Sequence, residues 1–336
     1  MAASNLDRSA DTAVRILVTG GSGLVGKALQ WAVAELETTD VRFQKRPGEE
    51  WSFLTSKDGD LRDLASARAI FERWTPTVVI HLAARVGGVF ANMAYQADFL
   101  NDNLAINQNV LRLCHEFNVD KVISCLSTCI FPDKTTYPIN ETMLHDGPPH
   151  DSNFGYAYAK RMLDVANRAY ASQHGRKFTG IIPTNIYGPY DNFGEGSHFV
   201  PALIKRVQAA RENGAENIQA AGSGAALRQF IYSRDIARII IWMIHEYDSA
   251  EPLILAGDAD SEISIRQAID TICKISGFAG RVEWDTTKTD GQLRKTADNA
   301  KLKSYLKDFD FTPFETGVKE TVEWFVENKD GSECRL

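Results

Sequence analysis

Short β-branched runs alternate with helical patterns through the first half of the chain, and a glycine-rich turn separates the first run from the first helix. These two observations predict an α/β fold: a doubly wound parallel sheet with helices on both faces. A third, the less regular second half with its Gly- and Asp-rich loops, predicts a smaller, discontinuous C-terminal substrate lobe over the strand ends.

The elements follow in order. Arg15-Ile16-Leu17-Val18-Thr19 reads as a buried strand and Val25 to Leu36 as a helix. Trp51-Ser52-Phe53-Leu54-Thr55 is the better second strand, because Val41-Arg42-Phe43 is too short. Val78-Val79-Ile80-His81-Leu82 and Lys121-Val122-Ile123-Ser124-Cys125-Leu126 are further strands, separated by a helix over Leu104 to Phe117. Ala157 to Gln173 is a helix and Phe178-Thr179-Gly180-Ile181-Ile182 a strand. Beyond them come helices at Phe199 to Asn213, Ile265 to Ser276 and Glu315 to Asn328. The run Leu253-Ile254-Leu255-Ala256 suits the main sheet. The organisation expected is a disordered tail over 1–14, a nucleotide-binding domain over 15–185 completed by the strand near 253–256, and a second lobe mainly over 186–330.

The 336 residues, 44% hydrophobic and 24% charged, suit one large domain or two medium ones. A net charge of −7 with no basic run argues against nucleic-acid binding. Ile239 to Ile244, the longest apolar stretch, is far short of a membrane span of ~20 residues. The polar start, with Asp7, Arg8 and Asp11, has no apolar signal core, so the cytosol is expected. Five cysteines without C-x-x-C spacing give neither a disulfide framework nor a zinc site; Cys114 and Cys273 read as small buried hydrophobes.

Gly20-Gly21-Ser22-Gly23-Leu24-Val25-Gly26 lies between the first strand and the first helix. Glycines there permit a tight turn and let backbone N–H groups approach a pyrophosphate, the mark of a Rossmann-type dinucleotide site. Gly20, Ser22, Gly23, Leu24, Val25 and Gly26 are therefore cofactor candidates. An acidic residue for an NAD ribose would be expected about 20 residues on. Asp40 falls there but precedes the poorer strand. The better strand ends in Ser56-Lys57-Asp58, and a hydroxyl with a cation suits a 2′-phosphate, so NADP(H) is expected with Ser56 and Lys57 at that phosphate. Asp60 and Leu61 in the same loop are placed at the cofactor too.

Tyr156 and Lys160 are four apart on a helix and share a face. A nearby ammonium and a positive nicotinamide ring are expected to lower the phenol below its usual pKa of about 10 and make it useful in hydride-transfer chemistry. Ser127, read as closing a strand, can donate to a developing oxyanion. Cys129 lies two residues on, and in extended backbone both side chains would share one side. Cys129 could then take a proton from a carbon next to a ketone held by Ser127, and His198 is a candidate acid for the other face. Spacing alone leaves structural roles open for both Cys129 and His198.

The glycine turn, Ser127, Tyr156-x-x-x-Lys160, Leu82-Ala83-Ala84 and Pro183-Thr184-Asn185-Ile186-Tyr187-Gly188-Pro189 resemble the extended short-chain dehydrogenase/reductase superfamily from Arg15 to Asn328. Within it, six stretches resemble the GDP-L-fucose synthase family. They are Ser127-Thr128-Cys129-Ile130-Phe131-Pro132, Pro183-Thr184-Asn185, Arg85-Val86-Gly87-Gly88, Asp191-Asn192-Phe193, Ser197-His198-Phe199-Val200-Pro201 and 285–291. The resemblance implies conversion of GDP-4-keto-6-deoxy-D-mannose to GDP-L-fucose: epimerisation at C3 and C5, then NADPH-dependent reduction at C4. It places the base at Cys129, the acid at His198, and the reductase group at Tyr156 with Lys160 and Ser127. It adds Leu82, Ala83, Ala84, Pro183 and Asn185 at the cofactor. Val86, Gly87, Asn185, His198, Arg206, Arg228 and Lys295 fall at the GDP-sugar, and a homodimer is implied. Two residues depart from the family pattern: Tyr190 stands where His is frequent, and Ala221 where Trp is frequent. The rival readings are another nucleotide-sugar 4-epimerase or reductase, a 4,6-dehydratase, or a non-catalytic NADP-binding module. Thr128-Cys129 in place of an Asp-Glu pair opposes the dehydratase, and the joint presence of Tyr156 and Lys160 opposes the binding module.

Overall fold

The computed structural model describes residues 13–288, 290 and 292–336. The expected tail over 1–14 falls mostly outside the described residues, and Val14 already opens the first strand. In chain order the first half contains β1 (Val14–Thr19), α1 (Leu24–Ala34), β2 (Glu49–Phe53), α2 (Leu64–Trp74), β3 (Val78–His81), α3 (Val89–Ala94), α4 (Gln96–Glu116), β4 (Lys121–Cys125), α5 (Phe154–His174) and β5 (Lys177–Pro183). The second half contains β6 (Asn185–Tyr187), α6 (Phe199–Glu212), β7 (Asn217–Ala221), β8 (Leu227–Arg228), β9 (Phe230–Tyr232), α7 (Ser233–Glu246), β10 (Leu253–Leu255), β11 (Ile263–Ser264), α8 (Ile265–Ile275), β12 (Arg281–Asp285), α9 (Ala300–Tyr305) and α10 (Phe314–Asn328).

Six strands form one parallel sheet in the order β10-β5-β4-β3-β1-β2. Alternation within each apolar run serves both faces. Ile16, Val18, Val78, Ile80, Ile123, Ile181 and Leu253 pack with α1 and α7, while Leu17, Val79, Val122, Ile182 and Ile254 pack with residues of α2, α4 and α5. The chain moves from β1 to β2 on one side, then returns to β3 on the other. The switch therefore falls between β1 and β3, and the crevice at their carboxyl ends is where such sheets hold ligands. A separate core, with Phe193, Leu203, Val207, Ile218, Ile272 and Phe325, builds the smaller lobe. The strand expected near 253–256 joins the main sheet as β10, beside β5.

Several elements depart from expectation. α4 starts at Gln96, eight residues before Leu104, because its first two turns are polar and carry little apolar period. The sequence reading assigns no helix at α2 or α7. α7 is amphipathic over its full length, but Ile239 to Ile244 in its second half, buried between α1 and the sheet, is apolar at six successive positions and read alone shows no period. Lys121 closes the end of that helix: its buried ammonium donates to the carbonyls of Met243 (3.0 Å) and Ile244 (2.8 Å). Among the described residues, no helix is long and apolar enough to cross a membrane. All five cysteines are free, with Cys114 and Cys273 buried as expected.

Ile240 is fully buried in the layer joining α7 to the sheet. Ile240→Ala is expected to lower the unfolding free energy by about 2–5 kcal/mol in urea titration, with an unchanged denaturant slope.

Candidate active site

The cofactor cradle is built by close backbone approach. Gly20 has a φ of 71°, and a Cβ there would lie 2.9 Å from the Ala83 nitrogen. A Cβ on Gly26 would lie 2.5 Å from the Gly20 carbonyl oxygen and 2.6 Å from that of Gly21. Gly23 is the N-cap of α1, and no side chain caps the helix, which leaves its first N–H groups facing outward beside exposed Ser22. Leu24 and Val25 form the first turn. Thr19 Oγ1 accepts from the N–H groups of Leu82 and Ala83, both at 3.1 Å, and so holds the Leu82-Ala83-Ala84 loop against the glycine turn. A dinucleotide fits this cradle, since the uncapped N-terminus of α1 offers backbone N–H groups to a pyrophosphate.

Past β2, Ser56 and Lys57 are exposed. Asp58 folds back on Thr55, accepting from its N–H at 2.8 Å and its hydroxyl at 3.0 Å. The Asp60 carboxylate is gripped by Arg62, and Leu61 is half-buried with its carbonyl accepting from Asn109. Asp40 is not at this edge of the cradle: it caps a short 3-10 turn and pairs with Arg42, which holds it below the usual carboxylate range.

Tyr156 and Lys160 share a face of α5, with the Lys160 ammonium 5.9 Å from the Tyr156 ring. Lys160 is fully buried and donates to the Cys125 carbonyl at 2.7 Å, where β4 ends. β4 stops two residues before Ser127, so Ser127 does not close the strand. Ser127 is instead the N-cap of a 3-10 turn over Thr128–Ile130 that carries Cys129. The expected extended-strand alternation is therefore wrong. Proximity comes from the cap, in which Ser127 Oγ accepts from the Cys129 N–H at 3.3 Å. Arg161, one residue past Lys160, fixes the turn from behind by donating to the Ile130 and Gly147 carbonyls.

Burial dominates the electrostatics. It pushes the Tyr156 phenol well above its ordinary value, with the neighbouring Cys129 and Cys125 sulfurs adding to the effect. In the protein by itself the ammonium does not produce the expected lowering: Lys160 directs a hydrogen bond to Cys125 and is itself pushed down by burial. The Cys129 thiol is also raised by burial, against the pull of Lys295, the Ser127 hydrogen bond and Lys160. His198 is solvent-accessible at the N-cap of α6, yet the surrounding protein pushes its imidazole below the ordinary value.

The substrate side closes around this cluster. A Cβ on Gly87 would lie 3.0 Å from the tip of the Phe99 ring, which meets Tyr156 edge-on. Val86 beside it is 62% exposed, free to meet a ligand. A Cβ on Gly88 would touch the Gly196 carbonyl at 3.4 Å, so the loop ending at His198 lies against the Val86-Gly87-Gly88 loop. Lys295 adjoins both Cys129 and Arg228, and burial lowers Lys295 and Arg228 alike. Pro183 ends β5 beside Leu255, and Asn185 donates to the Gln229 carbonyl at 2.8 Å. Arg206 stands apart: it is exposed on α6, and the titratable group nearest in effect is the neutral Cys273 thiol of α8. Thr289 and Gly291 of the 285–291 motif lie outside the described residues.

Three supporting residues carried no sequence signal. Gln229 is buried and knits the substrate side together: its side chain accepts from the Ala297 N–H at 2.8 Å and donates to the Ala297 carbonyl at 3.2 Å. His81 is buried between Thr19 (2.9 Å) and Asn107 (3.0 Å), and its imidazole is pushed down to about 3 by burial and then by Lys160. Asn107 passes the chain on to the Ala159 carbonyl, next to Lys160. An apolar strand ending in His gives no hint of such partners, which arise only when β1, β3 and α4 pack together.

Fold and cleft together define a class. Residues 16–256 match the NAD dependent epimerase/dehydratase family, and the chain belongs to it. Within that class the likeness is narrower. The chain is 50% identical over 323 residues to a probable GDP-L-fucose synthase of Drosophila melanogaster, covering 94% of this chain and 98% of that protein. It is 51% identical over 314 residues to a GDP-L-fucose synthase of Dictyostelium discoideum, covering 93% and 95%. The crystal structure of a GDP-L-fucose synthetase from Naegleria fowleri bound to NADP superimposes with a TM-score of 0.88 at 47% identity, covering 96% of this chain and 95% of that one. This places the chain in the GDP-L-fucose synthase family.

Lys295 is the cation that most favours the Cys129 thiolate. Lys295→Met is therefore expected to raise the thiol further and slow iodoacetamide labelling of Cys129 at a fixed pH near 8, read by peptide mass spectrometry. The labelling midpoint should move to higher pH than in the parent protein.

Proposed function

We propose that this chain converts GDP-4-keto-6-deoxy-D-mannose to GDP-L-fucose, inverting C3 and C5 and then reducing the C4 ketone. The observation that carries the reading is the joining of Ser127 and Cys129 in one capped turn beside Tyr156. C3 and C5 both flank C4, so one oxyanion site serves both reactions.

NADPH is the cofactor and, when bound, supplies the hydride for C4. Gly20, Gly23 and Gly26 with the first turn of α1 receive its pyrophosphate, and Leu82, Ala83 and Pro183 line the floor. Ser56 and Lys57 meet the 2′-phosphate, a role supported by their exposure and by the pairing that removes Asp40.

Cys129 takes the proton from C3 or C5, and His198 returns one from the opposite face. The charge that develops on the C4 oxygen is met by Ser127 and Tyr156. Burial keeps Tyr156 protonated. That is the form needed to donate a proton as the ketone becomes an alcohol. Lys160, anchored at Cys125, holds positive charge beneath the phenol while that proton leaves. Val86, Gly87, Asn185, Arg228 and Lys295 hold the GDP-sugar, and Arg206 serves the nucleotide end of the lobe.

The chain acts as a cytosolic homodimer. Tyr158, Met162 and Val165 lie on one face of α5, each about two-fifths or more exposed, and so form an apolar stripe suited to a second copy.

Incubation with GDP-4-keto-6-deoxymannose and NADPH is expected to consume the cofactor and yield GDP-L-fucose. Cys129→Ser should slow solvent-deuterium uptake at C3 and C5 by about 10²-fold or more, yet leave reduction of the epimerised keto sugar nearly intact. Tyr156→Phe should do the reverse and let the epimerised ketone accumulate. Full deuterium uptake in Cys129→Ser would remove the base assignment.

Lys57→Ala is expected to cut the preference for NADPH over NADH by about tenfold or more, read as the ratio of kcat/KM values. An unchanged ratio would take Lys57 out of the cofactor site.

A further inference from the structure

The segment after α10 does not trail into solvent. It docks on the loop that ends at His198. The Phe193 N–H donates to the Arg335 carbonyl at 2.8 Å, and Asn192 and Arg335 pair as a short parallel bridge. The Arg335 guanidinium donates to the Tyr190 carbonyl at 2.8 Å. Gly194 lies so close to Leu336 that a Cβ would be 2.5 Å from its carbonyl carbon. Cys334, 8% exposed, is sunk into the core of the smaller lobe with Phe193 and Phe325.

The same segment reaches the cofactor helix. Glu333 pairs with Lys27 at 3.4 Å, and Lys27 lies over the Tyr190 ring at 4.9 Å. Lys27 directly follows Gly26 on α1. Tyr190 is held with a φ of 66°, a conformation rare for a residue with a Cβ, and its ring packs on Trp324 at 4.6 Å. A backbone in that region persists only where its surroundings over-determine it, and the Arg335, Lys27 and Trp324 contacts do so here. Asp191 next to it is buried with one carboxyl oxygen unpartnered, and Arg335 is the cation that favours its charge.

We propose that Glu333 to Leu336 form a strap that positions His198 for epimerisation: Arg335 is a positioning residue, and Lys27–Glu333 ties the acid loop to the cofactor helix. The inference rests on the proposed role of His198. Among the described residues the strap's hydrogen bonds fall on the acid-bearing loop and its ion pair on α1, away from the Ser127–Tyr156–Lys160 cluster, so with NADPH saturating its effect falls on epimerisation.

The test uses full-length protein, Arg335→Ala and a chain ending after Ser332, with the Cys129→Ser and His198→Asn variants alongside. Three quantities are measured: amide hydrogen exchange over 190–198, inversion at C3 and C5 of GDP-4-keto-6-deoxymannose followed by NMR, and reduction of the epimerised ketone at saturating NADPH. Both strap variants should exchange faster across 190–198 and lose about ten- to hundredfold in the rate of inversion, with reduction within twofold of the parent. Arg335→Lys, which keeps one donor group, should recover part of the loss. Unchanged exchange, or inversion and reduction slowed alike, overturns the strap. A full rate of inversion in His198→Asn overturns the role of His198 itself. That failure is distinct, because the strap is intact in that variant.

Discussion

A single hydrogen bond, from the buried Lys160 ammonium to the Cys125 carbonyl at 2.7 Å, fixes the arrangement on which the cleft depends. Cys125 is the last residue of β4, so the bond joins the third strand from one sheet edge to the helix that carries Tyr156. A buried ammonium without such a partner would be costly, which makes the relative placement of strand end and helix stringent. Beyond Cys125 the chain must leave the sheet at once. It does so through the capped turn of Ser127 and Cys129, braced by Arg161, the next residue of the same helix. The groups proposed for reduction and for enolisation are therefore positioned by neighbouring residues of one helix.

Removal from water disfavours the charged form of every titratable group in the cleft. Burial raises Tyr156 and Cys129 and lowers Lys160, Lys295 and His198. Charges that develop during reaction then meet groups already in place in a poorly screened space, where each is worth more than in water. The cost is a thiol that resists ionisation, offset by a cation from the second lobe. Lys295 therefore sets how readily the Cys129 thiol ionises.

Much of the fold was legible because parallel strands buried on both faces leave continuous β-branched runs, as at Ile16-Leu17-Val18 and Val78-Val79-Ile80. α7 escaped because the unbroken apolar run Ile239 to Ile244 hides the helical period carried by its polar first turns, and the start of α4 escaped because it is polar. The departure at Tyr190 has a local account in its packing between Lys27 and Trp324. For Ala221, exposed at the end of β7, nothing in the structure explains the change.

The sequence by itself determined the sheet, the glycine cradle and the residue types of the cleft, because strand runs, Gly20-x-x-Gly23-x-x-Gly26 and Tyr156-x-x-x-Lys160 are local patterns with local physical causes. Only the tertiary structure decided how those residues meet. It put Cys129 on a capped turn instead of a strand, raised Tyr156 instead of lowering it, and brought Gln229, His81 and Arg335 to positions their neighbours in sequence do not announce. Hydrogen bonding across distant segments and removal from water both depend on packing, and packing is not written in any short stretch of chain.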